Sequence, residues 1–365
     1  MPPVITGQSL VTESIYNILS SNNANIYLIK LEEKKEGFIN QVNIYLKFLF
    51  KTIRILFSPN NVVYLPAARS IFGFLRNTYI IFISKISRHK IVMHFHCGEY
   101  NEFLLERGKY FILINKYIFC KVDYFIILGQ SLYKNYDILY NKNTKVLIIP
   151  NGIVINNHIN NTIFNDENLN ILFLSNLIES KGYLDLLEAI RILVNVFGLN
   201  EIRCFFCGNF LDSSDNYLFN NKEDARTYFF DFVQKHNLTK NIIYKGLVTG
   251  NEKHQILLKS DIFILPTYYS TEAQPLSILE ALSYGKIVIT TPHRAIPDMV
   301  IDNFNGLLVD YKSPKSIVDS IIKISNNKNL QNKLSTNAIT FVEKNYSIKK
   351  FENNIMSLFK QLDVI

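Results

Sequence analysis

Apolar runs of three to six residues recur along the chain, and most are followed by a polar turn and a segment with helical periodicity. In the first half these runs are Ile26 to Ile29, Val62 to Leu65, Lys90 to Phe95, Tyr124 to Leu128 and Lys145 to Ile149. In the second half they are Ile171 to Leu174, Arg203 to Cys207, Asn241 to Tyr244, Ile262 to Leu265, Ile287 to Ile289 and Leu307 to Val309. Short apolar runs alternating with helical patterns predict buried parallel strands joined by crossover helices. The alternation stalls at Pro150-Asn151-Gly152-Ile153 and resumes only at Ile171, after an asparagine-rich stretch. That stretch predicts a boundary between two α/β domains, 1–155 and 165–340, each a parallel sheet with helices on both faces. Two helical patterns close the chain, Lys315 to Ser325 and a longer one from Leu330 to about Leu362 with a kink near Asn345.

The richest segment runs from the strand at Ile262 to Gly285. Glu272 lies in a polar loop after the strand, and Glu280 lies eight positions on, inside a helix. Pro275 suits the first turn of that helix and Gly285 the residue just past its end. Free amides at such a helix start attract phosphate. Alone, two glutamates read as a solvated helix face. Flanked by two apolar strands, they read as a site where one carboxylate meets a sugar hydroxyl and the other a ribose. A second segment, Ile171 to Tyr183, passes from a strand through a polar loop into an amphipathic helix. Lys181 sits near that helix start, where a cation is unfavourable unless an anion binds there.

Charge is unevenly placed. Residues 1–160 hold 18 Lys and Arg against 9 Asp and Glu, and residues 161–365 hold 21 against 22, so the whole excess of the +8 chain lies in the first half. This asymmetry predicts an anionic partner for the first half. Within it, Gln41 to Phe57 places Lys47, Lys51 and Arg54 at helical spacing among large apolar residues, which fits an ordinary domain helix and a helix lying on anionic lipid equally well. No run is apolar and long enough to span a bilayer, and Met1-Pro2-Pro3-Val4 is no secretion signal, so a cytoplasmic protein is expected, peripheral on the inner face of the membrane if the lipid reading holds. Cys204 and Cys207 share a strand and have no second pair, so they read as buried small hydrophobes. His94 and His96 face one side of a strand end and lack an obvious third ligand for a metal.

The order of these features resembles the C-terminal signature of the GT-B glycosyltransferases of group 1, the large retaining family 4. The matching elements are Glu272-x7-Glu280, the small-x-x-x-Gly run ending at Gly285, the loop ending Pro297-Asp298, and Asn305-Gly306-Leu307-Leu308-Val309. The resemblance implies two doubly wound, Rossmann-like domains facing a cleft, with residues 341–365 forming a helix that crosses back to the first. It implies a retaining transferase that moves a sugar from a nucleoside-diphosphate donor to a glycan or lipid-linked acceptor, in cell-surface polysaccharide or lipopolysaccharide synthesis. Glu272 would orient the donor sugar, Lys181 would meet the diphosphate, and His96 would line the sugar and acceptor pocket. Glu280 would bind the ribose, with Gln274, Pro275 and Leu276 at the helix start. Gly7, in a turn normally preceded by a strand that is missing before it here, and Gly208, after another strand, would admit the donor, and Val248 would pack on the base. The family's Arg-x4-Lys-Gly loop has Asn176 in place of the arginine, so either Lys181 and helix dipoles suffice or Arg294 supplies the second cation. No Asp-x-Asp motif occurs, and neither a metal, another cofactor nor a nucleic acid is expected. A nucleotide-sugar epimerase of the same fold and a non-catalytic binding subunit remain as alternatives.

Overall fold

The computed structural model describes residues 7–22, 24–29, 38–57, 62–141, 144–155 and 168–364. The chain forms two compact units: Met1–Gly152 with Ile348–Ile365, and Ile153–Ser347.

In the first unit, helices α1 (Gly7–Ser21) and α2 (Phe38–Ile53) lead through a 3-10 turn, Arg54–Phe57, into strand β1 (Val62–Pro66). Then come α3 (Ile71–Ile86), β2 (Lys90–His94), α4 (Tyr100–Leu105), α5 (Lys109–Phe119), β3 (Tyr124–Ile127) and β4 (Lys145–Ile148). The four strands are parallel and lie in sequence order. Right-handed crossovers place the connecting helices on one face of such a sheet. The other face, carrying Val92, Tyr124 and Ile126, is covered by Val11 and Ile15 of α1 and by Phe351 and Ile355 near the chain end. The strand expected at Ile26 to Ile29 is not formed. Ile26 packs on this core, but Tyr27 and Leu28 are exposed and the segment joins no ladder among the described residues.

The second unit holds β5 (Leu169–Leu174), α6 (Tyr183–Asn195), β6 (Ile202–Cys207), α7 (Lys222–Lys235), β7 (Ile242–Gly246), α8 (Gly250–Lys259) and β8 (Ile262–Leu265). It continues with α9 (Leu276–Ser283), β9 (Ile287–Thr290), α10 (Ile296–Met299), β10 (Gly306–Leu308), α11 (Pro314–Ser325) and α12 (Lys328–Tyr346). A last helix, α13 (Ile348–Gln361), belongs to the first unit. The expected long terminal helix is therefore two helices that meet at Ser347, whose extended backbone interrupts the helical run. The parallel sheet has the order β10-β9-β8-β5-β6-β7. Numbered within the unit, this is the 3-2-1-4-5-6 winding of the Rossmann type, with its switch point between β5 and β8. Connections from those two strands leave in opposite directions, so a crevice opens at their carboxyl ends. Cys204 and Cys207 are buried free thiols of β6.

Candidate active site

The loops after β5 and β8 are stitched together at the switch point. The carbonyl of Ser180 accepts from the Tyr268 amide at 2.7 Å and the Thr267 hydroxyl at 3.3 Å. Contact this close requires a glycine beside it. Gly182 has φ +82°, and a Cβ there would lie 2.4 Å from the carbonyl oxygen of Pro266. Gly208, after β6, plays the same part on the other flank, since its Cβ would fall 2.0 Å from the Ser175 carbonyl oxygen. The structural demand on Gly208 is thus approach to the neighbouring loop.

Lys181 and Glu272 meet in this crevice, Nζ to Oε2 at 2.5 Å, with both side chains almost buried. The Lys181 ammonium also lies 4.3 Å from the centre of the Tyr269 ring, and the Thr267 hydroxyl is 3.4 Å from the same Glu272 oxygen. A third loop closes the arrangement. Asp215 accepts from the Ser180 hydroxyl at 3.1 Å and from the Ser270 amide at 2.8 Å. The buried carboxylate of Glu179 receives the amides of Tyr217, Leu218 and Phe219, fixing that loop against the β5 loop.

The loop after β9 supplies His293 and Arg294. The His293 Nε2 is 2.9 Å from the Tyr269 carbonyl oxygen, so it acts as a donor there. Burial lowers its pKa most, with the Arg294 and Lys181 charges adding and the Tyr269 bond and Glu272 opposing. The ring is therefore a neutral donor at physiological pH. Arg294 adopts φ +53° and donates to the Ser270 carbonyl at 3.2 Å. Asn176 is exposed at the mouth of the β5 loop.

Glu280 is the fifth of the eight residues of α9 and pairs with Lys253 of α8 at 2.6 Å. Pro275 caps α9 instead of occupying its first turn: its ψ of 112° is extended, and its carbonyl accepts the Ile278 amide. Gln274 is buried at this helix start, and Leu276 is the first helical residue. Gly285 ends the helix at φ +66°, with α12 packed so close that a Cβ would meet Ile339 and Ser335 at 2.9 Å. Val248 is buried in the core of the unit, and its neighbour Leu247 faces outward.

In the first unit, Gly7 opens α1, and the turn expected before it lies outside the described residues. The rings of His94 and His96 stack with centroids 3.9 Å apart, and the Tyr64 hydroxyl bonds His94 Nδ1 at 2.8 Å. Burial drives the pKa of His96 down to about 4, and burial, with the charge of His96 adding, holds that of His94 well below the usual imidazole range. Both Nε2 atoms are buried without a hydrogen-bond partner. Among the described residues no group of three or more His, Cys, Asp or Glu is placed to hold a metal.

Sequence reasoning named Lys181, Glu272 and Arg294, and the structure brings these onto adjoining loops. It missed Asp215, Thr267, Tyr269 and Lys253. Thr267 and Tyr269 lie within the same strand-to-helix loop as Glu272, whereas nothing local marks Asp215 or Lys253.

This winding, with a cation and a carboxylate at its switch point, defines a Rossmann-like binding unit. The model of the family "Glycosyl transferases group 1" matches residues 154–341, and the chain belongs to that family. A glycosyltransferase of Methanocaldococcus jannaschii is 31% identical over 125 residues, 34% of this chain and 32% of the relative. The UDP-Gal:alpha-D-GlcNAc-diphosphoundecaprenol alpha-1,3-galactosyltransferase of Escherichia coli is 28% identical over 130 residues, 36% of this chain and 32% of that one. The aligned part is thus about a third of the length of each of these relatives. Among solved structures, the Anabaena protein HepE in complex with UDP superposes with a TM-score of 0.71 at 14% identity, covering 99% of this chain and 98% of that one. At that identity the likeness gives the GT-B fold.

Proposed function

We propose that the chain is a retaining glycosyltransferase that moves a sugar from a nucleoside diphosphate held by the second unit to a lipid-linked glycan acceptor. The observation that carries this is the Lys181–Glu272 pair at the switch point of a 3-2-1-4-5-6 sheet. A nucleoside diphosphate sugar has the matching chemistry. Its diphosphate takes the Lys181 ammonium in a charge-assisted hydrogen bond, and Glu272 is released toward sugar hydroxyls. Leaving-group charge that grows as the glycosidic bond breaks is then met by preorganised donors. Arg294 supplies the second cation that Asn176 does not. Glu280 exchanges Lys253 for the ribose hydroxyls. His96, neutral and with Nε2 unpartnered, serves the acceptor or sugar as a hydrogen-bonding group.

The lipid-linked acceptor is suggested by the basic first half and by the diphosphoundecaprenol substrate named for the Escherichia coli relative. On this reading the chain works at an anionic membrane surface without spanning it; no helix among the described residues is long and apolar enough to cross. The test is release of nucleoside diphosphate from a panel of UDP- and GDP-sugars, with and without a polyprenyl-diphosphate sugar. Release that the acceptor accelerates, with a lengthened lipid product, is expected. A changed sugar on the intact donor would make the protein an epimerase, and no turnover with bound donor would make it a binding subunit.

A further inference from the structure

Helices α2, α3 and α5 and the 3-10 turn after α2 contain no Asp or Glu, and they carry Lys47, Lys51, Arg54, Arg76, Lys85, Lys109 and Lys116. Among the described side chains of these elements twelve large hydrophobic ones are exposed, including Phe50, Phe57, Phe72, Phe82, Tyr110 and Tyr117, each of these six at least 62% exposed. These helices adjoin one another: the Tyr79 hydroxyl of α3 donates to the Leu49 carbonyl of α2 at 3.3 Å, and the Phe74 ring of α3 packs at a tilt against the Phe111 ring of α5, centroids 5.0 Å apart. A water-facing surface would not concentrate so much apolar area, and a typical protein interface would not exclude every carboxylate. At the carboxyl ends of α3 and α5 lies a depression of about 470 Å³ lined by Lys85, Lys90, Lys121 and Lys145, with Asp123 its one acid, already bonded to Lys85 at 2.7 Å.

Resting on the reading that the first half meets anionic lipid, we propose that this three-helix face is the surface that seats in the membrane. Its rings and aliphatic side chains enter the headgroup and upper acyl region, the lysines extend to lipid phosphates, and Tyr110 and Tyr117 lie at the boundary. The face therefore extends well beyond Lys47, Lys51 and Arg54 of the α2 region. The depression beside it receives a lipid phosphate.

The whole chain is mixed with phosphatidylglycerol or phosphatidylcholine vesicles and sedimented. Binding to phosphatidylglycerol at least tenfold tighter than to phosphatidylcholine is expected, with at least a tenfold loss in F72S/F82S/Y117S and an unchanged circular dichroism spectrum. The chain has no tryptophan, so F82W gives a background-free report. Its emission shifts to the blue on phosphatidylglycerol vesicles, while F197W in the second unit stays unshifted. Wild-type protein that remains in the supernatant overturns both this face and the membrane reading. Wild type and triple variant that sediment alike, or F197W that shifts as F82W does, overturn the face alone. A dimer in free solution that F72S/F82S/Y117S dissociates would assign the face to a second copy and overturn the proposal.

Discussion

Lys181 and Glu272 are 91 residues apart in sequence and 2.5 Å apart in the structure, each the other's counter-ion in a nearly buried crevice. Taking one charge from such a pair leaves the other uncompensated, which typically costs about 3 kcal/mol or more. Glu272→Gln should therefore lower the melting temperature as well as turnover, and turnover should fall more than donor affinity, because the carboxylate acts mainly on the reacting sugar. Removing Lys181 as well (K181M/E272Q) should recover part of the stability and none of the turnover. Thermal melts and steady-state kinetics read the two effects separately, and a normal kcat in E272Q would remove Glu272 from the chemistry.

Glu280 separates binding from stability. Its bridge to Lys253 is about a third exposed on either side, so breaking it should change stability by at most about 1 kcal/mol. Losing a charge-assisted bond to the ribose should weaken donor binding by roughly 1.5–3 kcal/mol. Isothermal titration of E280A and K253M with the donor tests this. Weakening in E280A well beyond that in K253M is expected, and equal affinity in E280A and wild type would exclude the ribose contact.

Arg294 and Asn176 can be tested against each other. If Arg294 provides the second diphosphate cation, R294M should lose turnover by about two orders of magnitude, the size seen when one transition-state donor is removed. The added substitution N176R should restore part of it. No rescue, together with near-normal turnover in R294M, would leave Lys181 and the backbone amides as the whole diphosphate site.

Gly208→Ala should be destabilising by about 2 kcal/mol or more, because φ there is +143° and the new methyl would sit 2.0 Å from the Ser175 carbonyl oxygen. Chemical denaturation measures this directly. A neutral G208A would mean that the β5 and β6 loops part without cost.

His96 gives a pH signature. Its folded-state pKa, about 4, lies below the ordinary value of 6.5, so its contribution to stability is fully present above pH 6.5 and is lost as pH falls toward 4. Across that window the imidazole takes up a proton more readily in the unfolded chain than in the folded one. H96Q should flatten the loss of stability between pH 6.5 and 4 by roughly 2–3 kcal/mol. Identical slopes in the two proteins would place the imidazole in water.

Much of the second unit could be read locally. The strands β8 and β9, Ile262 to Leu265 and Ile287 to Thr290, are short apolar runs with both faces buried, and such runs need no long-range information to recognise. The Glu272 loop was legible because its strand, acid and helix stop at Gly285 are contiguous. Lys253 and Asp215 were not, since their partners stand 27 and 55 residues away and only the strand order brings them together. Strand order itself is invisible in the pattern, because nothing in Ile262 to Leu265 says that it pairs with β5. Ile26 to Ile29 misled for the opposite reason. Its apolar composition serves packing of one residue on the α1 core, and a ladder needs a neighbour that the described chain does not provide.

The position of α13 has a consequence for how the protein is made. The second unit is one unbroken stretch, Ile153–Ser347, whereas the first needs Phe351, Ile355 and Phe359 to cover Val92 and Ile126 of its sheet. On the ribosome, domains generally complete in the order they emerge. Here the order is inverted: the unit synthesised first waits with one side of its sheet uncovered until α13 has left the exit tunnel. During that interval Val92, Ile126 and the inner face of α1 present apolar area to any chaperone or nearby bilayer, and the nascent chain is prone to aggregate until α13 docks.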